Sequence, residues 1–240
     1  MVTEGGAGRK ARVRVVKRGR RRELRVDGTF ASSWRPGEVT TGSVWDALAL
    51  PILALPPTGR RRVLVLGLGG GSAARLVRAL APEAAIVGVE HDAEVLRMAR
   101  RHFGLDALGL EVVRGDARRY LEHARRRFDL VIDDVFVGRG YHVHKPDWLP
   151  EPGLRLAAAR LARRGLLVSN TIDETAAVAA TLASLLPARV RIRIEGYDNR
   201  VLVAGPAGLD ARRLRAAARA EPRVASILPR LGFSSLPGRL

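Results

Sequence analysis

The fold is decided by residues 63–72, which read VLVLGLGGGS. Four branched apolar residues in a row predict a strand that is buried on both faces. Four glycines in the next five positions predict a tight turn, because glycine reaches positive φ without strain. Such a turn lets a ligand approach the backbone at the start of the helix expected at 72–80. A tight turn that binds nothing is the alternative.

Strands and helices alternate on the C-terminal side of this stretch. The expected strands are 62–66, 85–89, 110–113, 130–132 and 165–169, and the helices between and after them are 72–80, 93–103, 117–126, 152–162 and 175–186. This alternation predicts right-handed βαβ units and a doubly wound, Rossmann-like α/β fold with a mostly parallel sheet. Strands at 190–194 and 200–204 predict an antiparallel hairpin, and a last helix is expected at 209–220.

The first 57 residues have a different pattern. Residues 1–10 are polar and glycine-rich, and we expect a disordered tail there. Short strands at 13–16 and 23–26 flank a basic turn and predict a β-hairpin, which residues 29–33 extend. An apolar helix is expected at 44–55. We therefore divide the chain into the tail, a small N-terminal unit of residues 11–57 and a nucleoside-cofactor-binding domain of residues 58–240.

Composition excludes several classes of protein. The 240 residues include no cysteine, so a disulfide framework, a thiolate metal site and a cysteine nucleophile are excluded. No apolar segment of the kind found in signal peptides follows the basic N-terminus. The apolar run 44–55 contains Asp46 and Pro51 and is too short to span a bilayer. We expect a cytoplasmic protein without a membrane partner.

The net charge of +18 raises the question of a nucleic-acid partner. Nearly all of the positive charge is arginine, since the only lysines are Lys10, Lys17 and Lys145. The arginines are dispersed along the chain, which is typical of a solvated surface. A nucleic-acid partner is therefore an alternative that we do not favour, and attraction of an acidic substrate is another.

Acidic residues follow three further strands of the predicted sheet. Glu90 closes the strand after the glycine turn, where a carboxylate can accept hydrogen bonds from ribose hydroxyls. Asp92 fits a helix cap better. Up to this point the features are equally compatible with a nicotinamide or flavin enzyme. Asp116 separates the classes, because it ends the third strand, where it can accept a hydrogen bond from an exocyclic adenine amine. The fourth strand ends at Asp133 and Asp134.

Together these strand ends resemble the spermidine synthase family, whose members have a class I S-adenosylmethionine-dependent methyltransferase-like fold. The resemblance is carried by the glycine turn, by Glu90, by Gly-Asp-Ala at 115–117 and by Phe-Asp-Leu-Val-Ile-Asp-Asp at 128–134. An N-terminal hairpin followed by a helix that ends in prolines also matches this family. The resemblance covers most of residues 12–205, and it is specific in the cofactor half and loose in the substrate half.

The resemblance implies a role for each matching residue. The cofactor would be S-adenosylmethionine or its decarboxylated form, with the ribose on Glu90 and the adenine at Asp116 and Ala117. Asp134 would stand at the family's first catalytic-loop aspartate, which positions the acceptor or takes a proton from the attacking amine. The methionine-derived tail would lie along Gly67, Gly69 and Gly71. The family also implies a homodimer formed through the N-terminal β region.

Two departures from the family pattern concern the substrate. Gly70 stands where aminopropyltransferases carry an aspartate that faces the cationic tail of the cofactor, and Val137 stands where they carry the aspartate that holds the diamine. A diamine is a dication, and burying it without carboxylates is costly. We therefore expect a methyl donor with an intact carboxylate and an acceptor that is neutral or acidic.

The loop at 140–145 follows the fourth strand above the predicted cleft. Tyr141, His142 or His144 is a candidate to contact the acceptor or to act as a base, since histidine titrates near neutrality. A solvated loop is the alternative. A metal site made of His142, His144 and Asp147 is not favoured, and Trp45 is expected to pack in the core.

The function that we favour is a methyltransferase acting on a small-molecule or protein acceptor. An aminopropyltransferase of the spermidine synthase type with an altered pocket is the second candidate. A nucleic-acid-modifying protein is the third, but the chain lacks both a cysteine and an Asp/Asn-Pro-Pro-Tyr motif. A non-catalytic domain that keeps the nucleoside site is the fourth.

Overall fold

The computed structural model describes residues 12–237, and the predicted tail of residues 1–10 lies outside this range. The helices are α1 (Val44–Ala49), α2 (Ser72–Leu80), α3 (Ala93–Phe103), α4 (Ala117–His123), α5 (Gly153–Ala159), α6 (Thr175–Leu185) and α7 (Ala211–Arg219). The strands of the N-terminal part are β1 (Val13–Arg18), β2 (Arg21–Val26) and β3 (Thr29–Trp34). The later strands are β4 (Arg62–Leu66), β5 (Ala85–Glu90), β6 (Glu111–Arg114), β7 (Phe128–Asp133), β8 (Val137–Arg139), β9 (His142–His144), β10 (Leu161–Thr171), β11 (Ala188–Ile194), β12 (Arg200–Gly205) and β13 (Leu231–Leu236).

The main sheet has eight strands in the order β13-β11-β12-β10-β7-β4-β5-β6. Strands β10, β7, β4, β5 and β6 are parallel, whereas β12, β11 and β13 are joined by antiparallel pairing. The order reverses on either side of β4, and ligands of open α/β sheets bind at the carboxyl edge near such a point. The predicted doubly wound, mostly parallel sheet with a C-terminal antiparallel hairpin is confirmed.

Both faces of the sheet are covered by apolar contacts. In β4, Val63 and Val65 join the cluster that includes α1, α2 and α7, whereas Leu64 and Leu66 join the cluster that includes α4, α5 and α6. All four side chains are at most 1% exposed. Successive side chains of a strand point to opposite faces, so a strand buried on both sides must be apolar throughout.

The N-terminal residues form a three-stranded antiparallel sheet in the order β1-β2-β3. The predicted hairpin is confirmed, and 29–33 extend it as expected. Ser72, at the start of α2, ties β3 to the main domain because its hydroxyl accepts from Ser33 N (2.9 Å) and donates to Ser33 O (2.8 Å). Helix α1 is fully buried in the core of the main sheet. The division at residue 57 stays a prediction.

Four parts of the chain differ from the sequence-based expectation. Residues 161 and 162, expected in the helix 152–162, begin strand β10 instead. The helix expected at 44–55 is α-helical only to Ala49 and continues as a 3-10 turn over Leu50–Ala54, because Pro51 has no N–H to donate. The predicted loop at 140–145 is part of a small hairpin formed by β8 and β9. The edge strand β13 was not predicted, because its pattern of alternating apolar and polar residues is short and includes a glycine and two serines.

No helix within residues 12–237 has the length and apolar character needed to cross a bilayer.

The contact between Ser72 and Ser33 predicts a measurable loss of stability. Ser72→Ala leaves the buried Ser33 N–H and carbonyl without partners, and we expect the free energy of unfolding to fall by about 1–3 kcal/mol. Urea unfolding followed by tryptophan fluorescence measures this change. Ser184→Ala removes an exposed hydroxyl and is the control, with an expected change under about 0.5 kcal/mol. Equal losses in the two variants would contradict the proposed tie.

Candidate active site at the carboxyl edge of the sheet

The glycine turn after β4 packs closely against the chain that follows β7. Gly67, Gly69 and Gly71 have φ values of 77°, 55° and 80°, which residues other than glycine rarely adopt. A Cβ placed on Gly67 would lie 2.5 Å from the carbonyl oxygen of Asp134. Glycine is therefore required here by the approach of two backbone segments, whatever the turn binds.

The backbone N–H groups of the turn all donate within the protein. Gly67 and Leu68 donate to Val89 O, Gly69 to Glu90 Oε2, Gly70 to Ser32 Oγ and Gly71 to Leu68 O, at 2.6 to 3.0 Å. A turn that cradles phosphate presents such groups to its ligand. None of these five N–H groups is free to bind a ligand. The turn therefore lacks the anion cradle that holds a pyrophosphate.

Gly70 lies against β3 of the N-terminal sheet. A Cβ on Gly70 would lie 2.8 Å from the Cβ of Ser32 and 3.1 Å from the ring of Phe103. The position at which aminopropyltransferases carry an aspartate therefore has no room for a side chain. The sequence showed the glycine, but only the fold shows that Ser32 fills the space.

Glu90 lies at the end of β5 and is 8% exposed. Its Oε2 accepts from Gly69 N (3.0 Å) and its Oε1 from Asp92 N (3.1 Å), with His91 Nδ1 at 3.3 Å. Burial alone would raise the pKa of Glu90, but the hydrogen bonds from His91, Asp92 and Gly69 outweigh it and hold this pKa below its ordinary value. Glu90 is therefore an acceptor-only carboxylate at neutral pH, and its Oε2, which accepts one hydrogen bond, keeps a second lone pair.

Asp116 is exposed at the end of β6, next to the buried Ala117 that begins α4. Its Oδ1 accepts from Arg119 N at 2.8 Å, so it caps α4, just as Asp92 caps α3 as expected. The capping role of Asp116 was missed by the sequence analysis, although an aspartate directly before a helix is its usual signal. The other carboxylate oxygen has no hydrogen-bond partner among residues 12–237.

Asp134 is the centre of a hydrogen-bonded group that joins four elements. Its Oδ2 accepts from Trp45 Nε1 (3.0 Å), its Oδ1 accepts from Asn170 Nδ2 (2.7 Å), and Asn170 Oδ1 accepts from Asn199 Nδ2 (3.0 Å). Burial raises the pKa of Asp134 to about 6, against the opposing effects of Asn170, Lys145 and Trp45. A carboxylate with this pKa can take up a proton near neutrality.

Trp45, Asn170 and Asn199 were not predicted as site residues. Trp45 does pack as expected, since it is 5% exposed and its ring lies edge-on to Phe30 at 5.0 Å, but its indole N–H also serves the site. Asn170 ends the apolar strand β10, and Asn199 lies in the turn before β12. Asn170 could have been identified from the sequence, because it is a polar side chain near the carboxyl end of a buried strand.

Asp133 faces away from Asp134, as the alternation of a strand requires. It forms a buried ion pair with Lys145 Nζ (2.8 Å) and accepts from Ser169 Oγ (2.7 Å). Lys145 also donates to Val135 O and lies 4.4 Å from the ring centre of Phe136. The ion pair between Lys145 and Asp133 holds the segment after β9 against the end of β7.

The hairpin of β8 and β9 carries the other candidate catalytic residues. Tyr141 is completely exposed, and His142 and His144 are exposed as well. The tip is fixed to the N-terminal sheet, where Gly140 N donates to Asp27 O and Thr29 Oγ1 donates to Gly140 O, both at 3.1 Å. Within the described part of the chain, none of these three side chains forms a hydrogen bond or ion pair. None of them is therefore hydrogen-bonded to Asp134 in this part of the chain, and their roles stay predictions.

No three histidine, aspartate or glutamate side chains are grouped to hold a metal ion between residues 12 and 237. His142, His144 and Asp147 are thus not brought together as such a group.

Comparisons with known proteins agree with the fold described above. Residues 63–165 match the family described as methyltransferase domain. A polyamine aminopropyltransferase of Vibrio vulnificus is 33% identical over 118 residues, which are 47% of this chain and 38% of that protein. Polyamine aminopropyltransferase 2 of Hyperthermus butylicus is 35% identical over 96 residues, 38% of this chain and 31% of that protein. The matches thus span well under half of the length of these relatives.

Solved structures share the fold over a larger part of the chain. A probable spermidine synthase from Corynebacterium glutamicum superposes with a TM-score of 0.74 at 19% identity, over 98% of this chain and 91% of that one. Human methyltransferase-like protein 13, solved in complex with SAH, gives 0.63 at 24% identity, over 78% and 92%. The sheet, the glycine turn and the acidic strand ends thus define a class I methyltransferase fold. Within that class, part of the chain is similar in sequence to polyamine aminopropyltransferases, and its fold is similar to that of a probable spermidine synthase.

The raised pKa of Asp134 predicts a titration that Trp45 reports. The indole N–H of Trp45 donates to Asp134, so we expect its NMR signal to shift with a midpoint near pH 6. Trp45→Phe assigns the signal among the three tryptophans. Asp134→Asn is expected to abolish the titration, and a midpoint below pH 4.5 in the unaltered protein would contradict it.

The buried ion pair predicts two effects of Lys145→Met. Leaving Asp133 buried without its partner is expected to lower the free energy of unfolding by about 3–5 kcal/mol. Because Lys145 lowers the pKa of Asp134, the Trp45 titration should also move to higher pH. Lys17→Met, at an exposed position of β1, is the control and should change neither quantity. An unchanged titration in a folded Lys145→Met protein would refute the coupling.

Proposed function

We propose that this protein is an S-adenosylmethionine-dependent methyltransferase that acts on a small-molecule or protein acceptor. One observation carries the proposal: Glu90, Asp116 and Asp134 lie at the carboxyl ends of neighbouring strands around a glycine turn that offers no anion cradle. Carboxylates suit a ligand with hydroxyl and amine donors and repel phosphate. These three acceptors fit a nucleoside without phosphate better than a nicotinamide or flavin dinucleotide.

The residues present fit the cofactor in the following way. Glu90 keeps a free lone pair on Oε2 for a ribose hydroxyl, and Asp116 keeps one carboxylate oxygen for an adenine amine beside Ala117. The resemblance places the methionine tail along Gly67, Gly69 and Gly71, whose missing side chains let Asp134, Ser32 and Leu105 pack against the turn. When bound, S-adenosylmethionine supplies an electrophilic methyl group.

Asp134 would act on the acceptor. Its carboxylate takes the proton that the attacking nitrogen, oxygen or other nucleophile loses when the new bond to carbon forms. A pKa near 6 leaves it mostly ionised at pH 7 and still basic enough to accept a proton. Trp45 and Asn170 orient it by donating to different oxygens, and through its own oxygen Asn170 is in turn fixed by Asn199.

Methyl transfer is favoured over aminopropyl transfer by the absence of anionic groups for a polyamine. Gly70 has no room for a carboxylate, and Val137 on β8 is 41% exposed. Asp133, the remaining acid next to Asp134, already pairs with Lys145. A dication placed here would lack the carboxylates that its desolvation requires.

Aminopropyl transfer with decarboxylated S-adenosylmethionine is the second candidate. The two curated relatives described above carry the name of that activity, and Asp134 stands where the resemblance places a catalytic aspartate. A homodimer formed through the N-terminal sheet and a cytoplasmic location remain proposals of the sequence analysis.

Calorimetric titration with S-adenosylmethionine, its decarboxylated form and methylthioadenosine tests the cofactor and the transferred group together. We expect the intact cofactor to bind most tightly. Tighter binding of the decarboxylated form would favour the aminopropyltransferase, and failure of all three to bind would refute the nucleoside site.

Two variants test the assigned contact of Asp116. Asp116→Ser keeps an N-cap for α4 but is too short to reach an adenine, so affinity should fall by about tenfold. Asp210→Ser alters the equivalent cap of α7 at the opposite edge of the sheet and is the control. The same affinity in both variants would refute the role of Asp116.

A further inference from the structure

A cavity of about 250 Å³ opens at the carboxyl edge of the sheet, beyond the site described above. It lies where β11 ends and where β12 and β13 begin, so it shares that edge with Asp134 and Asn170. Its charged lining consists of Arg193, Arg200, Arg230 and Glu195, a net charge of +2. Nothing in the proposed function uses this cavity.

The three arginines of the cavity have no ion-pair partner among residues 12–237. The side chain of Arg193 forms no hydrogen bond in that range either, and neighbouring strands place this residue directly beside Arg200 and Gly232. Like charges held this close repel each other unless an anion lies between them. Guanidinium groups are also the side chains best suited to bind carboxylate and phosphate with two parallel hydrogen bonds.

Two of the guanidinium groups are held in place by carbonyl oxygens. Arg200 Nη1 donates to the carbonyls of Tyr197, Asp198 and Asn199 at 2.7 to 3.2 Å, which leaves its Nε and Nη2 groups without hydrogen-bond partners in the described chain. Arg230 donates to Gly42 O (2.7 Å) and Glu195 O (2.9 Å). Carbonyls orient these groups without neutralising their charge, so the cavity is prepared for an anion.

The turn before β12 connects the cavity to the catalytic aspartate. Asn199 precedes Arg200 and donates to Asn170, which donates to Asp134. Arg200 begins β12, two places from β7 in the sheet, and Arg193 lies near the end of β11, three places from it, so the separation is about 10 to 15 Å. Alternation directs the side chains of Arg193 and Arg200 to the face covered by α6, whereas Asp134 meets Trp45 on the face of α1. An elongated acceptor would therefore cross the carboxyl edge of the sheet, with one end at the arginines and its nucleophile at Asp134.

We propose that the arginine cavity binds the carboxylate or phosphate group of the acceptor, so that the substrate of the proposed methyltransferase is an anionic small molecule. This inference rests on the proposed function for the identity of the ligand, and its own content is the anion site. The positive lining excludes a polyamine by repulsion and selects an acidic acceptor by attraction.

Calorimetric titration at low ionic strength with inorganic phosphate and, separately, with malonate tests the anion site. We expect one saturable site per chain, and the tighter of the two anions identifies the group that the cavity prefers. Arg193→Gln should weaken binding by about tenfold or more, since it removes charged hydrogen bonds. Arg212→Gln, on the exposed face of α7, removes the same charge elsewhere and should leave the affinity unchanged. Absent binding, or equal losses in the two variants, would overturn the proposal.

A second titration separates the acceptor from the cofactor. With S-adenosylhomocysteine at saturation, the anion should bind with at least its original affinity, because the cavity is distinct from the glycine turn. Competition between the two ligands would show that the arginines hold the carboxylate of the cofactor, which would overturn the proposal. A protein that binds the anion through Arg193 but no nucleoside would instead refute the proposed function and leave the anion site standing.

Discussion

The contact of the glycine turn with the backbone after β7 is the constraint on which the rest of the site depends. Asp134 N donates to Leu66 O at 2.9 Å, and the missing side chain of Gly67 leaves room for the Asp134 carbonyl. Any larger residue at position 67 would force the ends of β4 and β7 apart. Because these ends stay together, Glu90 and Asp134 face the same crevice from either side of the turn.

The edge of the sheet is divided by charge. Carboxylates dominate at β5, β6 and β7, whereas arginines dominate at β11, β12 and β13. Asn170 joins the two halves, because it donates to Asp134 and accepts from Asn199, the residue before Arg200. A cationic nucleoside at one end and an anionic acceptor at the other would each meet the opposite charge, and this polarity is the reverse of what a polyamine needs.

Similarity to other proteins supports the fold of this chain more firmly than the reaction it catalyses in our proposal. The superposition on a probable spermidine synthase covers nearly the whole chain, but at 19% identity. The chemistry therefore depends on individual positions, and Gly70 and Val137 are two positions at which the sequence departs from the pattern that the resemblance implies. Ser32 shows why the change at Gly70 is more than a lost charge, since β3 closes on the turn and leaves no space for the family's aspartate.

The sequence by itself determined the order of strands and helices in the main domain, because apolar periodicity, glycine and aspartate caps act over a few residues. The bounds of β4, α2 and α3 agree with that reading, as does the placement of Glu90, Asp116 and Asp134 at strand ends. The sequence-based reading missed the edge strand β13 and the small hairpin, whose strands are short and whose pairing depends on distant partners.

Only the tertiary structure decided which side chains meet. Trp45 and Asp134 are 89 residues apart, and Asn170 and Asn199 join them from two further strands. The pKa of Asp134 follows from burial and the arginine cavity from strand pairing. Both are properties of packing, and no local pattern of residues encodes them.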